Sequence, residues 1–432
     1  MKNTMLMMGL WLIGLPLLHS QDWTHTLDSA LQTAAATEVF QGQVLIGQNR
    51  QVVFQKSYGH DRLIIEDHTP LSIQSVTKAF TAIGILRLVE DGQLALNDPL
   101  IKYLPKLPYE QVLISHLLNM NSGLPRFFET ALKHGDTTKV MSNPEIIDLI
   151  ALQKPTAEAP GGPFAYNNTN YLLLASVIEK VSGVDYATFI KSRIIDPLGM
   201  NHTSIAVPGE ENGPVGVDNF YQPYGEGNIY STAGDLFKLD QALTSGQIIA
   251  FIDHLNEQMR KAGQGNTPEY LLGWWLRPDE RGLQMRIIGD GQNTRSVWQR
   301  YLNGDRSIIY LHSSSVNYQE QVFEALLNII EGRPYQLPEK RTPYQIDPQL
   351  LHQYTGSYLS EVFGLLHVTA ENGELFLRPD PVPDSERLVP SSDTTFYFEG
   401  QPVEWEFFLD DQGGVLGFGL KGKREQMGKR QD

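Results

Sequence analysis

The chain has 432 residues, of which 41% are hydrophobic and 19% charged, enough apolar content for more than one core. A formal charge of −16 argues against nucleic acid as a partner. There is no cysteine, which excludes disulfides, thiolate metal ligands and a cysteine nucleophile, and leaves stability to packing alone.

Residues 1–20 read as a secretory signal: Lys2 gives the positive start, Met5 to Leu18 the apolar stretch, and Ser20 a small residue ahead of a cut before Gln21. The stretch is short and interrupted by Pro16, so no stable membrane span is expected after cleavage. The expected location is exported, periplasmic or extracellular. Two strand-like runs then open the mature chain, Gln43-Val44-Leu45-Ile46-Gly47 and Gln51-Val52-Val53-Phe54-Gln55, with Asn49-Arg50 between them as a hairpin turn.

Ser75-Val76-Thr77-Lys78 follows, at the head of a helix predicted over 75–91. A serine hydroxyl is a poor nucleophile at neutral pH and needs a base within hydrogen-bonding reach. The i, i+3 spacing on a helix supplies that reach, and a long lysine can return its amine to the serine oxygen. The residues beyond, Ala79 to Val89, are almost free of charge and apolar around the whole turn, the mark of a buried helix. A lysine at the mouth of such a helix needs a partner or must give up its proton, and both are expected at a catalytic site. Gly92 and Asn97-Asp98-Pro99 end the segment.

Further helices are expected at 111–120, 144–153, 169–181, 185–193 and 233–244. The 169 helix is preceded by Tyr166-Asn167-Asn168 in a glycine- and proline-rich approach. Strands return at Leu271 to Leu276, Leu283 to Ile288 and Ser307 to Leu311, and a helix at 318–331 closes the unit. A sheet built from both ends of this unit with helices between them is an α+β arrangement.

Three prolines and a charge cluster mark a linker at 334–347, which separates residues 21–333 from a small all-β unit at 348–432. That unit shows runs at Tyr354 to Tyr358, Leu365 to Thr369, Glu374 to Arg378, Thr395 to Phe398, Glu404 to Leu409 and Val415 to Leu420, with an Asn372-Gly373 hairpin turn, and reads as a small antiparallel barrel or sandwich. The basic residues Lys421, Lys423, Arg424, Lys429 and Arg430 are expected in a solvated tail. The eleven histidines form no His-x-x-x-His or His-Glu-x-x-His pair, so neither a metal nor another cofactor is expected; His116, His202 and His312 fit structural roles.

Taken together, Phe40 to Leu45, Ser75-Val76-Thr77-Lys78, Leu88 to Gly92, Asp98-Pro99-Leu100, Ser115 to Asn119, Ser122-Gly123-Leu124, Tyr166 to Tyr171, Pro197 to Met200 and Tyr230 to Leu236 resemble the class C β-lactamase and D-alanyl-D-alanine carboxypeptidase family of penicillin-recognising serine hydrolases, over about residues 40–315 and in the family's order. The C-terminal part is similar to the lipocalin-like β-domain often appended to such proteins. The resemblance implies the β-lactamase/transpeptidase-like fold, an antiparallel sheet flanked by helices with a helical subdomain.

It also implies roles. Ser75 would be the acylated nucleophile, Lys78 its base or proton relay, and Tyr166 the carrier of the second proton. Asn168 would orient Lys78 and the substrate's acyl amide, and the backbone N–H groups of Ser75 and Gln292 would form the oxyanion hole. The family's third motif, Lys or His, any residue, then Gly, corresponds to Gly289-Asp290-Gly291, so the basic residue that helps bind a substrate carboxylate is replaced by Gly289. Gly291 is retained, and Arg295, where glycine is common, is the candidate to restore the charge. The expected function is an exported serine hydrolase cleaving an ester or amide, with a D-amino-acid peptide or a β-lactam-related compound among the substrates; the alternative is an impaired scaffold that binds peptide or cell-wall fragments without turnover. The expected partner is therefore a small-molecule or peptide substrate, and the sequence says nothing of oligomeric state.

Overall fold

The computed structural model describes residues 22–59, 64–127, 130, 141–154, 156, 158–206, 223–262, 269–279, 282–291, 294–302, 305–313, 318–380, 385–401 and 403–431. The expected signal at 1–20 and Gln292 lie outside the described residues.

The larger unit is an antiparallel sheet of seven strands in the order β2-β1-β10-β9-β8-β7-β6. β1 (Gly42–Gln48) and β2 (Gln51–Tyr58) are the expected hairpin, turned by Asn49 and Arg50, both at positive φ. The region expected as one strand at 271–276 is instead two, β6 (Tyr270–Leu271) and β7 (Trp274–Asp279), folded back on each other at Leu272 and Gly273. β8 (Gly282–Gly291), β9 (Thr294–Tyr301) and β10 (Arg306–Ser313) complete the sheet, and β10 pairs with β1 so that Gly42 faces His312.

The sheet has two covered faces. On one, Val44, Ile46, Tyr58, Val297, Ile308 and Tyr310 pack against a helix α1 (Asp22–Ala36) that the sequence reading missed and the expected C-terminal helix of the unit, Gln319–Ile330. The apolar positions Leu27, Ala30, Leu31, Ala34 and Ala35 recur at the spacing of one helical stripe, which is why α1 lies on this face. On the other face, Leu45, Ile287, Trp298, Ile309 and Leu311 join the larger core, which includes α2 (Thr77–Glu90), α3 (Ile114–Leu118), α4 (Asn143–Ala151), α5 (Thr169–Ser182), α6 (Tyr186–Ile190), α7 (Ala233–Ser245) and α8 (Phe251–Ala262); the Gln319–Ile330 helix is α9. A small sheet, β3 (Leu71–Ser72), β5 (Ile229–Ser231) and β4 (Ser204–Ile205), connects α2 to α7.

Beyond α10 (Pro348–Tyr354), eight strands form a closed antiparallel barrel: β11 (Gly356–Ser360), β12 (Gly364–Glu371), β13 (Glu374–Pro379), β14 (Glu386–Pro390), β15 (Thr395–Tyr397), β16 (Glu404–Leu409), β17 (Val415–Leu420) and β18 (Gly428–Gln431). Its interior is filled by side chains including Tyr358, Leu377, Phe396, Phe407 and Phe418. The basic C-terminal segment is not a tail: Lys429 and Arg430 lie in β18, which pairs with both β17 and β11 and closes the barrel. The barrel is fastened to the start of α9, where Tyr318 Oη donates to Glu399 Oε1 at 2.9 Å and Gln321 Nε2 to the Gly400 carbonyl at 2.6 Å.

Candidate active site

Ser75 sits in a single 3₁₀ turn, Gln74–Val76, that runs into the first turn of α2. Gln74 holds a φ of 48°, a conformation that side chains disfavour. This turn is clamped from the sheet by β8: a Cβ added at Gly289 would stand 2.2 Å from the Ile73 carbonyl oxygen and 3.0 Å from the Ser75 nitrogen. Ser75 is half-buried, so a substrate can reach it, whereas Lys78 one turn on is fully buried.

Lys78 Nζ donates to Ser75 Oγ at 2.8 Å, and Tyr166 Oη reaches the same oxygen at 3.2 Å. Lys78 Nζ lies 5.3 Å from the centroid of the Tyr166 ring. The sequence therefore brings Ser75, Lys78 and Tyr166 to one point from two segments ninety residues apart. Tyr166 is held there by the packing of its own motif: Ala165 N–H donates to the Met120 carbonyl at 2.8 Å, Asn167 Nδ2 to the Leu124 carbonyl at 2.8 Å, and Ser122 Oγ to Asn170 Oδ1 at 2.5 Å. Behind Tyr166, Trp275 stacks at 6.3 Å and 9°, Tyr270 meets it edge-on, and Phe164 packs on Trp275, giving the site an aromatic wall.

Two expected roles change. The remaining donors of Lys78 go to Glu226, whose carbonyl is 3.0 Å and whose Oε2 is 3.4 Å from Nζ. Lys78 is held by Glu226 and makes no hydrogen bond to Asn168, whose Oδ1 is buried without a hydrogen-bond partner among the described residues. Burial pushes the Glu226 carboxyl upward, and the neighbouring Lys78 ammonium partly draws it back. Sequence reasoning missed this residue because an acid between two glycines, sixty positions after Tyr166, has no spacing that ties it to the lysine.

Arg295 does not join the site. Successive residues of a strand point to opposite faces, and Ser296, whose hydroxyl donates to the Ser72 carbonyl at 3.1 Å, occupies the face of Ser75. Arg295 is on the other face, where its guanidinium pairs with Asp290 and with Glu320 of α9. Gly289, across from Ser296, shares the nucleophile's face and brings no charge to it; Gly291 ends β8 opposite Thr294. His116 is structural as expected: its Nδ1 accepts from Leu113 N–H at 3.2 Å, and burial lowers its pKa.

The serine, its buried lysine and a phenol on the same oxygen, at the start of a helix, can move one proton on and one proton off a nucleophile. Residues 27–329 match the Beta-lactamase family. The chain is 29% identical to penicillin-binding protein 4* of Bacillus subtilis over 428 residues, covering 89% of this chain and 94% of that protein. Among solved structures it is similar to an octameric penicillin-binding protein homologue from Pyrococcus abyssi, with a TM-score of 0.58, 24% identity and 93% and 98% of the two chains covered. A D-amino acid amidase from Ochrobactrum anthropi superposes with a TM-score of 0.59 at 21% identity, covering 72% of this chain and 99% of the other.

Proposed function

The chain belongs to the Beta-lactamase family, and on that footing we propose that it is a serine acyl hydrolase, cleaving an ester or amide through a Ser75 acyl-enzyme with water as the final acceptor. The observation that carries this reading is the convergence of Lys78 Nζ and Tyr166 Oη on Ser75 Oγ, at 2.8 and 3.2 Å. In the acylation step Lys78 takes the hydroxyl proton as Oγ bonds to the carbonyl carbon. The leaving group departs with a proton delivered through Tyr166, and the same pair then activates water for deacylation. The backbone N–H of Ser75 is a donor to the oxyanion in this reading.

The substrate we propose is a neutral ester or amide, with D-amino-acid peptides in that class. Two features support it. With Gly289 on the nucleophile's face and Arg295 on the other, the described site has no cation free to bind a substrate carboxylate. The half-buried rings of Phe164, Tyr166 and Trp275 suit an apolar acyl group. Among the described residues no helix is long and apolar enough to cross a membrane, and the signal-like residues 1–20 support export to the periplasm or beyond.

Intact mass after treatment with a fluorophosphonate and, separately, with a penicillin tests this directly. The expected result is one fluorophosphonate adduct that vanishes in Ser75→Ala, with efficient turnover of neutral esters and poor turnover of penicillin. Failure of both reagents to label Ser75 would make the protein a binding scaffold, and rapid penicillin hydrolysis would overturn the substrate class.

A further inference from the structure

We propose that the carboxyl of Glu226 is the proton store of Lys78: it takes one proton from the lysine, leaving Nζ a lone pair that faces Ser75 Oγ. This rests on the reading of Ser75 as a nucleophile and adds a positioning residue to it. An ammonium has no lone pair, so a lysine that is to act as base must first put a proton somewhere. Lys78 is fully buried, and among the described residues its Nζ meets three oxygens: Ser75 Oγ, the Glu226 carbonyl and Glu226 Oε2. The carboxylate is the one that can keep a proton.

The geometry suits that exchange. Two Glu226 oxygens take two N–H bonds of a neutral amine, and the third direction of the tetrahedral nitrogen faces the serine. Moving the proton breaks one Nζ–H bond and forms Oε2–H, converting a buried ion pair into two neutral groups, which a desolvated site favours; a one-third turn of the amine about Cε–Nζ then carries the lone pair from Oε2 to Ser75 Oγ and leaves the two N–H bonds directed at the Glu226 oxygens. When Ser75 attacks, its O–H bond breaks and Nζ–H forms, so the oxyanion is balanced by the new ammonium, which passes that proton to the leaving group through Tyr166. Glu226 touches no substrate.

The loop that carries Glu226 is fixed on both sides. Asn143 holds both main-chain groups of Tyr224, Thr81 Oγ1 donates to the Gly225 carbonyl at 2.7 Å, and Thr77 Oγ1 accepts from Ile229 N–H at 3.2 Å. Thr77 and Thr81 flank Lys78 on α2, so lysine and glutamate are mounted on the same element. Gly225 adopts a φ of 100° and passes so close to α5 that a Cβ would lie 2.4 Å from the Tyr171 carbonyl oxygen. Among the described residues Lys78 is the charged group that faces the Glu226 carboxyl; Tyr166 stands beyond it, and Tyr186 of α6 reaches Thr81 at 2.7 Å rather than the carboxyl.

The test is the pH dependence of Ser75 labelling by a fluorophosphonate in the full chain, in wild type, Glu226→Gln and Glu226→Asp, with folding checked by circular dichroism. In Glu226→Gln the lysine must lose its proton to solvent, so labelling should be at least about tenfold slower on the acid side and recover at alkaline pH, while Glu226→Asp keeps acid-side labelling at a reduced rate. An acid limb that stays in place or moves downward in a folded Glu226→Gln would overturn the proposal. A second readout does not depend on activity: the infrared C=O stretch of a protonated carboxyl, present at neutral pH in wild type and lost in Glu226→Gln. Its absence from wild type sinks the proton store even if Ser75 labels, and its presence supports it even if Ser75 labels with nothing.

Discussion

Tyr166 shares the nucleophile's oxygen with Lys78, and the two are not equivalent. The lysine is buried and the phenol half-buried beside a ring stack, so the phenol stands between the lysine's proton and a departing group. Tyr166→Phe keeps the stack and removes only the hydroxyl; the rate of ester turnover is expected to fall by about 10²–10⁴, with Ser75→Ala as the floor. His116 makes a separate prediction about stability. Its pKa is depressed by burial below the ordinary 6.5, so the folded chain favours the neutral ring. The stability it contributes is present above about pH 6.5 and is lost as pH falls through the lower folded value; in His116→Gln, melting temperature should depend less on pH across this range. At this scale the convergence of Ser75, Lys78 and Tyr166 was legible, the first two from their i, i+3 spacing on a buried helix and the third from the family resemblance. Glu226 was not, because only the fold brings its carboxyl to the lysine.

Among the elements, β8 decides what the site can bind. Its approach to the nucleophile turn leaves no room at residue 289, so Gly289→Lys is not a simple restoration of the family's basic residue: its Cβ would overlap the Ile73 carbonyl. Expected are a destabilisation of about 1–3 kcal/mol, measured by denaturant unfolding, and slower labelling of Ser75. A stable Gly289→Lys that hydrolyses penicillin well would show that the strand can retreat. The motif under Tyr166 is similarly tight: Ser122→Ala leaves the buried Asn170 amide oxygen short of a donor, at a cost of about 1–3 kcal/mol. The sequence hid β9 because Arg295, Gln299 and Arg300 interrupt its apolar run. Yet Arg300 is buried, paired with Asp240, which also accepts from Trp298 Nε1 at 3.0 Å and Ser307 Oγ at 2.6 Å. Polar residues that satisfy one another inside a fold look like surface residues in a sequence. In α8 the signal was available, since Phe251, Ile252, Leu255 and Met259 follow a helical stripe. β18 was hidden by its composition, because a short strand of Gly-Lys-Arg-Gln gains its place by pairing, not by burial.

Among the described residues the barrel core shares no member with the two cores flanking the seven-stranded sheet, and it is joined to them through polar contacts at the start of α9. The barrel is therefore expected to unfold as its own unit. Phe407→Ala, which empties a position ringed by Tyr354, Phe396 and Phe418, should lower the barrel transition in calorimetry by about 3–5 kcal/mol and leave Ser75 labelling unchanged. Loss of labelling in that variant would mean that the barrel supports the site. The pairing of β1 with β10 has a consequence in time. The two strands are separated by some 270 residues, and at a synthesis rate of roughly 5–20 residues per second β1 keeps an open edge for about 14–54 s after it is made. Ser75 and Lys78 are made early in that interval, Glu226 follows Lys78 by 148 residues, and β8, the strand that clamps their turn, comes only near its end. The nascent chain thus carries an exposed strand edge, a liability for aggregation, and the proposed nucleophile is not joined by its lysine's partner and its clamping strand until the ribosome has passed most of the chain's length.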